Sequence, residues 1–244
     1  MPLSSNTIIH LTREKASLQG ILEDNFRLHY CKETVQLDSD SYEMRVPMVS
    51  FCDIPLSEIK DHIEKYGCYG IGLTKAWAVR NGLNPVLYVE PSSMLARSYN
   101  SAFATLVVNV EDDNFTQVQQ SFTDVLRYIK NYQGPLSRKG KLIDEYRFSD
   151  EREWRYVPAP SEQCEMLMTD EQYLREHTAA QLSLEPLRLH FEPNDIKYII
   201  IQSDSEISEL VHLLRHAKGK KYAYDDVERL MTRILTTEQI KGDI

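Results

Sequence analysis

Cysteine is scarce in this 244-residue chain: Cys31, Cys52, Cys68 and Cys164 are its four thiols, and no two stand in a CxxC pair. Four sparse cysteines exclude a disulfide framework and set a reduced compartment as the expectation. The tightest cluster of metal-ligand types, Cys52, His62 and Cys68, offers three donors where a closed zinc site wants four, so no metal is expected. Glycine (9) and proline (10) are too few for a fibrous or low-complexity chain. No window approaches 18 uncharged apolar residues, so no membrane span is expected. The opening Met-Pro-Leu-Ser-Ser-Asn-Thr lacks the basic start and apolar core of a signal peptide. A soluble, cytoplasmic protein is the combined expectation.

Positive charge is also short. Lys and Arg number 28 against 37 Asp and Glu, for a net charge of −9 and a pI near 5.3. A broad nucleic-acid footprint needs clustered cations, so this balance argues against one. Two short basic runs, Arg138-Lys139 with Lys141 and residues 215–221, read as solvated loop charge.

What the chain does have is core material: 42% of its residues are hydrophobic. A strand is expected over 6–10, followed by a helix capped by Thr12 and carrying Ala16, Leu18, Ile21 and Leu22. Residues 32–45 read as an exposed polar loop. Strands are expected over 46–51, 69–73, 85–90, 154–157, 187–191 and 197–202, the last apolar enough to be central. Ile59 and Ile63 mark a helix ending near Gly67, and Thr74 caps another that ends at Gly82. The longest helix is expected over 112–132, with Phe115, Val118, Phe122, Val125, Leu126 and Ile129 on one stripe and Gly134-Pro135 ending it. Residues 158–185 read as a loop holding a short helix near 170–177. Two amphipathic helices close the chain, on Ile207, Leu210, Val211 and Leu214, and on Val227, Leu230, Met231 and Ile234. The fold class is α+β: a mixed, mostly antiparallel sheet flanked by helices. No linker divides it, so a single domain over 1–244 is expected, with a core over 6–202 and a helical extension over 203–244.

Three clusters could carry chemistry. His10 and Thr12 point to the same side at a strand-to-helix junction. Gly67, Gly70 and Gly72, interleaved with Tyr66 and Tyr69, permit close backbone approach by a ligand. Glu151 and Glu153 share one side of a strand end. Each has a plainer reading: a satisfied core histidine, a turn and bulge, and surface ion pairs with Arg147, Arg152 or Arg155.

The stretches IIHLTREKASLQGILEDNFRLHYCKE, VPMVSFCDIPLSEIKDHIEKYGCYGIGLTKAWA, NPVLYVEP and DEREWRYVP resemble the AbiGi family, whose members are described as antitoxin components of abortive-infection (phage-defence) systems. The likeness runs from about Thr7 to about Gln202. A more distant one is to ADP-ribosyltransferases of the DarT and poly-ADP-ribose polymerase kind. There HLT with LQGILEDNF is similar to the opening strand and helix, NPVLYV to a segment of DarT, and Glu153 before Trp-Arg-Tyr-Val to the catalytic glutamate.

That second resemblance implies an ADP-ribosyltransferase-like fold and NAD as substrate. Glu153 would stabilise the oxocarbenium-like state through a ribose hydroxyl, as carboxylates do in glycoside cleavage. His10 would hold a ribose hydroxyl, Thr12 brace the dinucleotide and Glu151 orient the acceptor, a protein or nucleic acid. Tyr69 would stack on nicotinamide, with Tyr66 and Tyr88 as competing aromatics. The AbiGi resemblance implies instead a non-catalytic protein that binds and neutralises a partner toxin. A DNA-binding repressor is disfavoured by the acidic charge and the lack of a helix-turn-helix pattern.

Overall fold

The computed structural model describes residues 5–108, 116–138, 141–159, 164–219 and 222–243. Its residues group into two compact units interleaved along the chain. One comprises Met1–Arg27, Ser50–Leu83 and Arg188–Ile244; the other comprises Leu28–Val49 and Asn84–Leu187.

In the first unit, strands Ile234–Thr236, Ile196–Ile201, Tyr69–Thr74 and Thr7–Thr12 lie side by side in that order. Thr7–Thr12 runs antiparallel to Tyr69–Thr74 over its whole length and meets Cys52 through Ile9. Ile234–Thr236 pairs in parallel with Ile196–Ile201, so the apolar Tyr-Ile-Ile-Ile run has a neighbour on both sides. Helices Lys15–Asp24 and Lys75–Arg80 pack on Tyr69–Thr74, and helix Lys60–Tyr66 packs on Thr7–Thr12. Ile9, Ile59, Ile63, Ile200 and Ile240 form a common core.

The helix of 75–80 is capped as expected, Thr74 accepting from the Trp77 amide. Thr12 caps nothing: it is the last residue of its strand, and helix Lys15–Asp24 starts after Glu14 without a side-chain cap. The closing segment holds helices Ile207–Gly219 and Tyr224–Met231. Ile234 belongs to the strand, not the helical stripe, and a further helix, Thr237–Asp243, follows.

In the second unit, the expected loop over 32–45 is a β-hairpin. His29–Leu37 pairs with Asp40–Cys52 from His29↔Met48 to Leu37↔Asp40, and Asp38 turns the corner in the left-handed region (φ 56°). Polar residues face outward while Val35, Leu37, Met44, Val46 and Met48 line a core with Phe103, Leu126 and Ile129. Met168–Thr169 also pairs with the long strand, strand Glu153–Tyr156 borders it, and Asn84–Pro85 lies beyond.

The helix expected over 112–132 is shorter: Gln117–Leu126, started by a capping box of Thr116 and Gln119. Residues 112–115 lie outside the described residues. Ile129 belongs to the strand Ile129–Asn131, parallel to Leu87–Val89, and Val118 and Val125 point outward at 55% and 41% exposure. The apolar stripe was a helix face joined to a strand. Gly134-Pro135 does not end a helix but opens an antiparallel ribbon, Gly134–Arg138 with Lys141–Tyr146. The short helix expected near 170–177 is present and runs further, Asp170–Leu184, capped by Thr169 and kinked at Glu176. A helix over Met94–Phe103, capped by Ser93, had no counterpart in the sequence reading.

Candidate functional site

His10 and Tyr69 sit on neighbouring strands of the first unit, where His10 pairs with Ile71 and Thr12 with Tyr69. The His10 ring is half-buried and donates from Nδ1 to the Ser50 carbonyl at 2.8 Å. It stands edge-on to Phe26 and Phe51, with ring centres 5.3 and 5.7 Å away. The Tyr69 hydroxyl donates to Glu206 at 3.0 Å, and Glu206 is paired in turn with Lys15. Burial first, and then the Glu206 carboxylate, raise the pKa of Tyr69. Tyr66 stacks on His62.

The glycines of this region answer to packing. A Cβ on Gly67 (φ +128°) would lie 2.2 Å from the Thr12 carbonyl oxygen, and one on Gly70 2.8 Å from that of His10. One on Gly72 would lie 2.4 Å from the Tyr198 ring. The space beside all three is filled by the first unit's own strands rather than left open for a ligand. Cys52 and Cys68 pack against the isoleucine core, and among the described residues no three His, Cys, Asp or Glu side chains are grouped to hold a metal.

Glu151, Glu153 and Tyr88 come together in the second unit. Both oxygens of Glu153 accept: Oε1 from Arg155 Nε at 2.6 Å, Oε2 from Lys130 Nζ at 2.8 Å and from Arg155 Nη2 at 3.2 Å. Glu151 accepts from Lys130 at 3.2 Å and from the Tyr146 hydroxyl at 3.0 Å. Arg155, fully buried, also donates to Glu33 at 2.9 Å and to the Arg127 carbonyl at 2.8 Å. The backbone amide of Glu153 donates to the Tyr88 hydroxyl at 2.9 Å.

The local chain path makes this convergence. Residues Phe148–Glu151 form a 3-10 turn, and Arg152 then adopts φ 44°, ψ 52° before the strand begins. This is not the extended approach expected for Glu-x-Glu. The left-handed residue turns Glu151 and Glu153 onto the same lysine, at the cost of local strain in a non-glycine residue.

The electrostatics follow from mutual burial. Desolvation works to raise the Glu153 pKa, but the charges of Arg155 and Lys130 outweigh it and hold the carboxyl well below the usual range. Burial works to lower Lys130, yet Glu153, Glu33 and Glu151 outweigh it and raise its pKa. The Tyr88 phenol is pushed up, chiefly by burial. Glu153, Lys130 and Arg155 are each held in the charged form by a counter-charge within hydrogen-bonding distance.

Sequence reasoning identified the two glutamates and named Arg155 among their possible partners, as a surface ion rather than a buried one, and missed Lys130 and Glu33. Lys130 was hidden in the supposed helix stripe, and Glu33 in the supposed loop. The available signal was Arg155, two residues from Glu153 on one strand and therefore on its face.

A mixed α+β protein, its sheets mostly antiparallel and its deepest charges neutralising one another, is the class these two units define. Residues 24–202 match the model of a family described as "Putative abortive phage resistance protein AbiGi, antitoxin". The chain belongs to the AbiGi family. It is 27% identical over 223 residues to "Abortive phage resistance protein AbiGi" of Lactococcus lactis subsp. cremoris, an alignment that covers 82% of this chain and 90% of that protein. No solved structure matches the chain. Among the described residues no helix is long and apolar enough to cross a membrane.

Proposed function

We propose that this protein is the antitoxin component of a cytoplasmic phage-defence system and acts by binding a partner toxin, without chemistry of its own. The observation that carries this reading is the closed state of Glu153: both carboxylate oxygens accept from Arg155 and Lys130, and the side chain is 7% exposed. A carboxylate so held stabilises its own fold and has little capacity left for a ribose hydroxyl. The family description and the name of the lactococcal relative point the same way.

The test is growth. The product of the gene adjacent to this one is expressed alone and with this chain, and the two proteins are then run together on a sizing column. Relief of growth arrest with co-elution supports the antitoxin reading. Arrest that persists with both proteins present at equal levels overturns it.

A second reading is favoured by the convergence of Glu151, Glu153 and Tyr88. In it the chain is an ADP-ribosyltransferase-like enzyme that cleaves NAD or transfers ADP-ribose to a protein or nucleic acid. Glu153 would be the residue that stabilises the cationic ribose, Glu151 the one that orients the acceptor, and Tyr88 the aromatic that contacts NAD. Nicotinamide release from NAD separates the two readings.

A further inference from the structure

Of the seven histidines in the chain, His212 and His216 alone stand four residues apart, and both lie in helix Ile207–Gly219 of the first unit. That helix buries Leu210, Leu214 and Lys218 and turns His212 and His216 to the opposite face, where both are exposed. Four residues are little more than one helical turn, so the two rings leave the same face with their Cβ atoms about 5–6 Å apart. Two imidazoles at this spacing on one helix reach a single ion, which is why zinc sites on helices use it.

The surroundings leave both rings available to an ion. Among the described residues no hydrogen bond, ion pair or ring contact engages His212 or His216. His10, His62 and His177, by contrast, are each held against a carbonyl or an aromatic ring. The nearest cation on the same face, Arg215, is turned onto Glu228 of the following helix at 3.5 Å. One turn before His212, Glu209 accepts from Lys15 and, at 2.9 Å, from Gln19. His216 stands in the last turn, where the helix carbonyls present the negative end of the dipole and favour a cation.

We infer that His212 and His216 form a two-imidazole site for a divalent first-row transition ion of the Ni2+, Cu2+ and Zn2+ kind. Imidazole nitrogen suits these ions, whereas Mg2+ and Ca2+ take oxygen donors. The helix fixes the spacing before the ion arrives, so the second ring binds at a high effective concentration once the first has bound. Two protein donors leave the ion's other positions to water or to a donor from a second molecule. The site lies beyond the residues matched by the family, 24–202, and is independent of the antitoxin reading.

The probe is Ni2+, with Mg2+ as the control ion, titrated into the full chain at neutral pH. Affinity is read by calorimetry, and the histidine ring signals are followed by NMR. The ring signals of His212 and His216 are expected to respond together and before those of the other histidines. Binding should be at least about tenfold weaker in His212→Asn and in His216→Asn alike, because each leaves a single donor. His190→Asn, at an exposed histidine elsewhere in the first unit, is expected to bind as wild type. Ser208 is exposed four residues before His212, so Ser208→His added to His216→Asn rebuilds the spacing and should restore binding. Because these side chains are exposed, all variants should melt with the wild type in a chelator. With Ni2+ present, Tm should rise for the wild type and His190→Asn but not for the two single-donor variants. Four results overturn the inference: no binding, undiminished binding in either single-donor variant, no restoration by Ser208→His, or an equal response to Mg2+.

Discussion

Arg155 and Glu153, two residues apart on one strand, meet through Nε and Oε1 at 2.6 Å, with the arginine side chain wholly buried and the glutamate nearly so. The pair shares its charges with Lys130, Glu33 and Glu151. Breaking a buried pair leaves an uncompensated charge, which costs about 3–5 kcal/mol. Glu153→Gln is therefore expected to destabilise the second unit by about that amount in a urea melt at neutral pH. An unchanged melt would mean that the network contributes no net stability.

The same network sets a pH dependence. Because the folded-state pKa of Glu153 is depressed, its stabilisation is present above the unfolded value of about 4.3 and is lost as pH falls through the lower folded value. Lys130, with its pKa raised, contributes fully below about 10.4 and loses that contribution only as pH rises through its higher folded value. Wild-type stability should thus fall between about pH 4 and pH 2 more steeply than that of Glu153→Gln. Parallel acid profiles would place the acid sensitivity in other carboxylates.

Gly67 and Gly72 make a graded comparison in the first unit. A methyl on Gly72 meets a tyrosine ring, which can shift, and overpacking of this kind costs about 1–3 kcal/mol. A methyl on Gly67 meets the Thr12 backbone, and φ +128° adds strain of about 1–3 kcal/mol more. Thermal melts should place Gly67→Ala below Gly72→Ala. The reverse order would mean that the Thr12 backbone yields more easily than the Tyr198 ring.

Trp77 is the aromatic whose loss should be felt most. It is fully buried, donates from Nε1 to the His190 carbonyl at 2.8 Å, and packs on Phe51 at 5.5 Å. Trp77→Ala is expected to cost about 3–5 kcal/mol. Trp154, on the strand of Glu153, is half-buried and should cost less. Equal losses in denaturant melts would contradict that ranking.

The first unit was largely legible because its signals are local and agree with one another. The run 196–201 is too apolar for anything but an interior strand, and Thr74 begins a helix by chemistry visible three residues away. The second unit hid its order. Its hairpin over 29–52 alternates, but six of the fourteen residues in 32–45 are charged, so composition suggested a loop where the period of two marked strands. A helix stripe continued without interruption into strand Ile129–Asn131, which concealed Lys130. Interleaving of the two units along the chain leaves no linker between them to be read. Glu151 and Glu153 were singled out correctly as a pair. Of their counter-charges, Arg155 stands on the strand of Glu153 itself, whereas Lys130 lies 21 and 23 residues away and only the fold brings it in.

The most direct test of the account is nicotinamide release from NAD by the purified wild-type chain, alone and with a cell extract supplying acceptors. The account predicts no release above that of a heat-denatured control, because Glu153 is committed to Arg155 and Lys130. Release by the wild type that is abolished in a folded Glu153→Asp variant would contradict it and make Glu153 a catalytic residue.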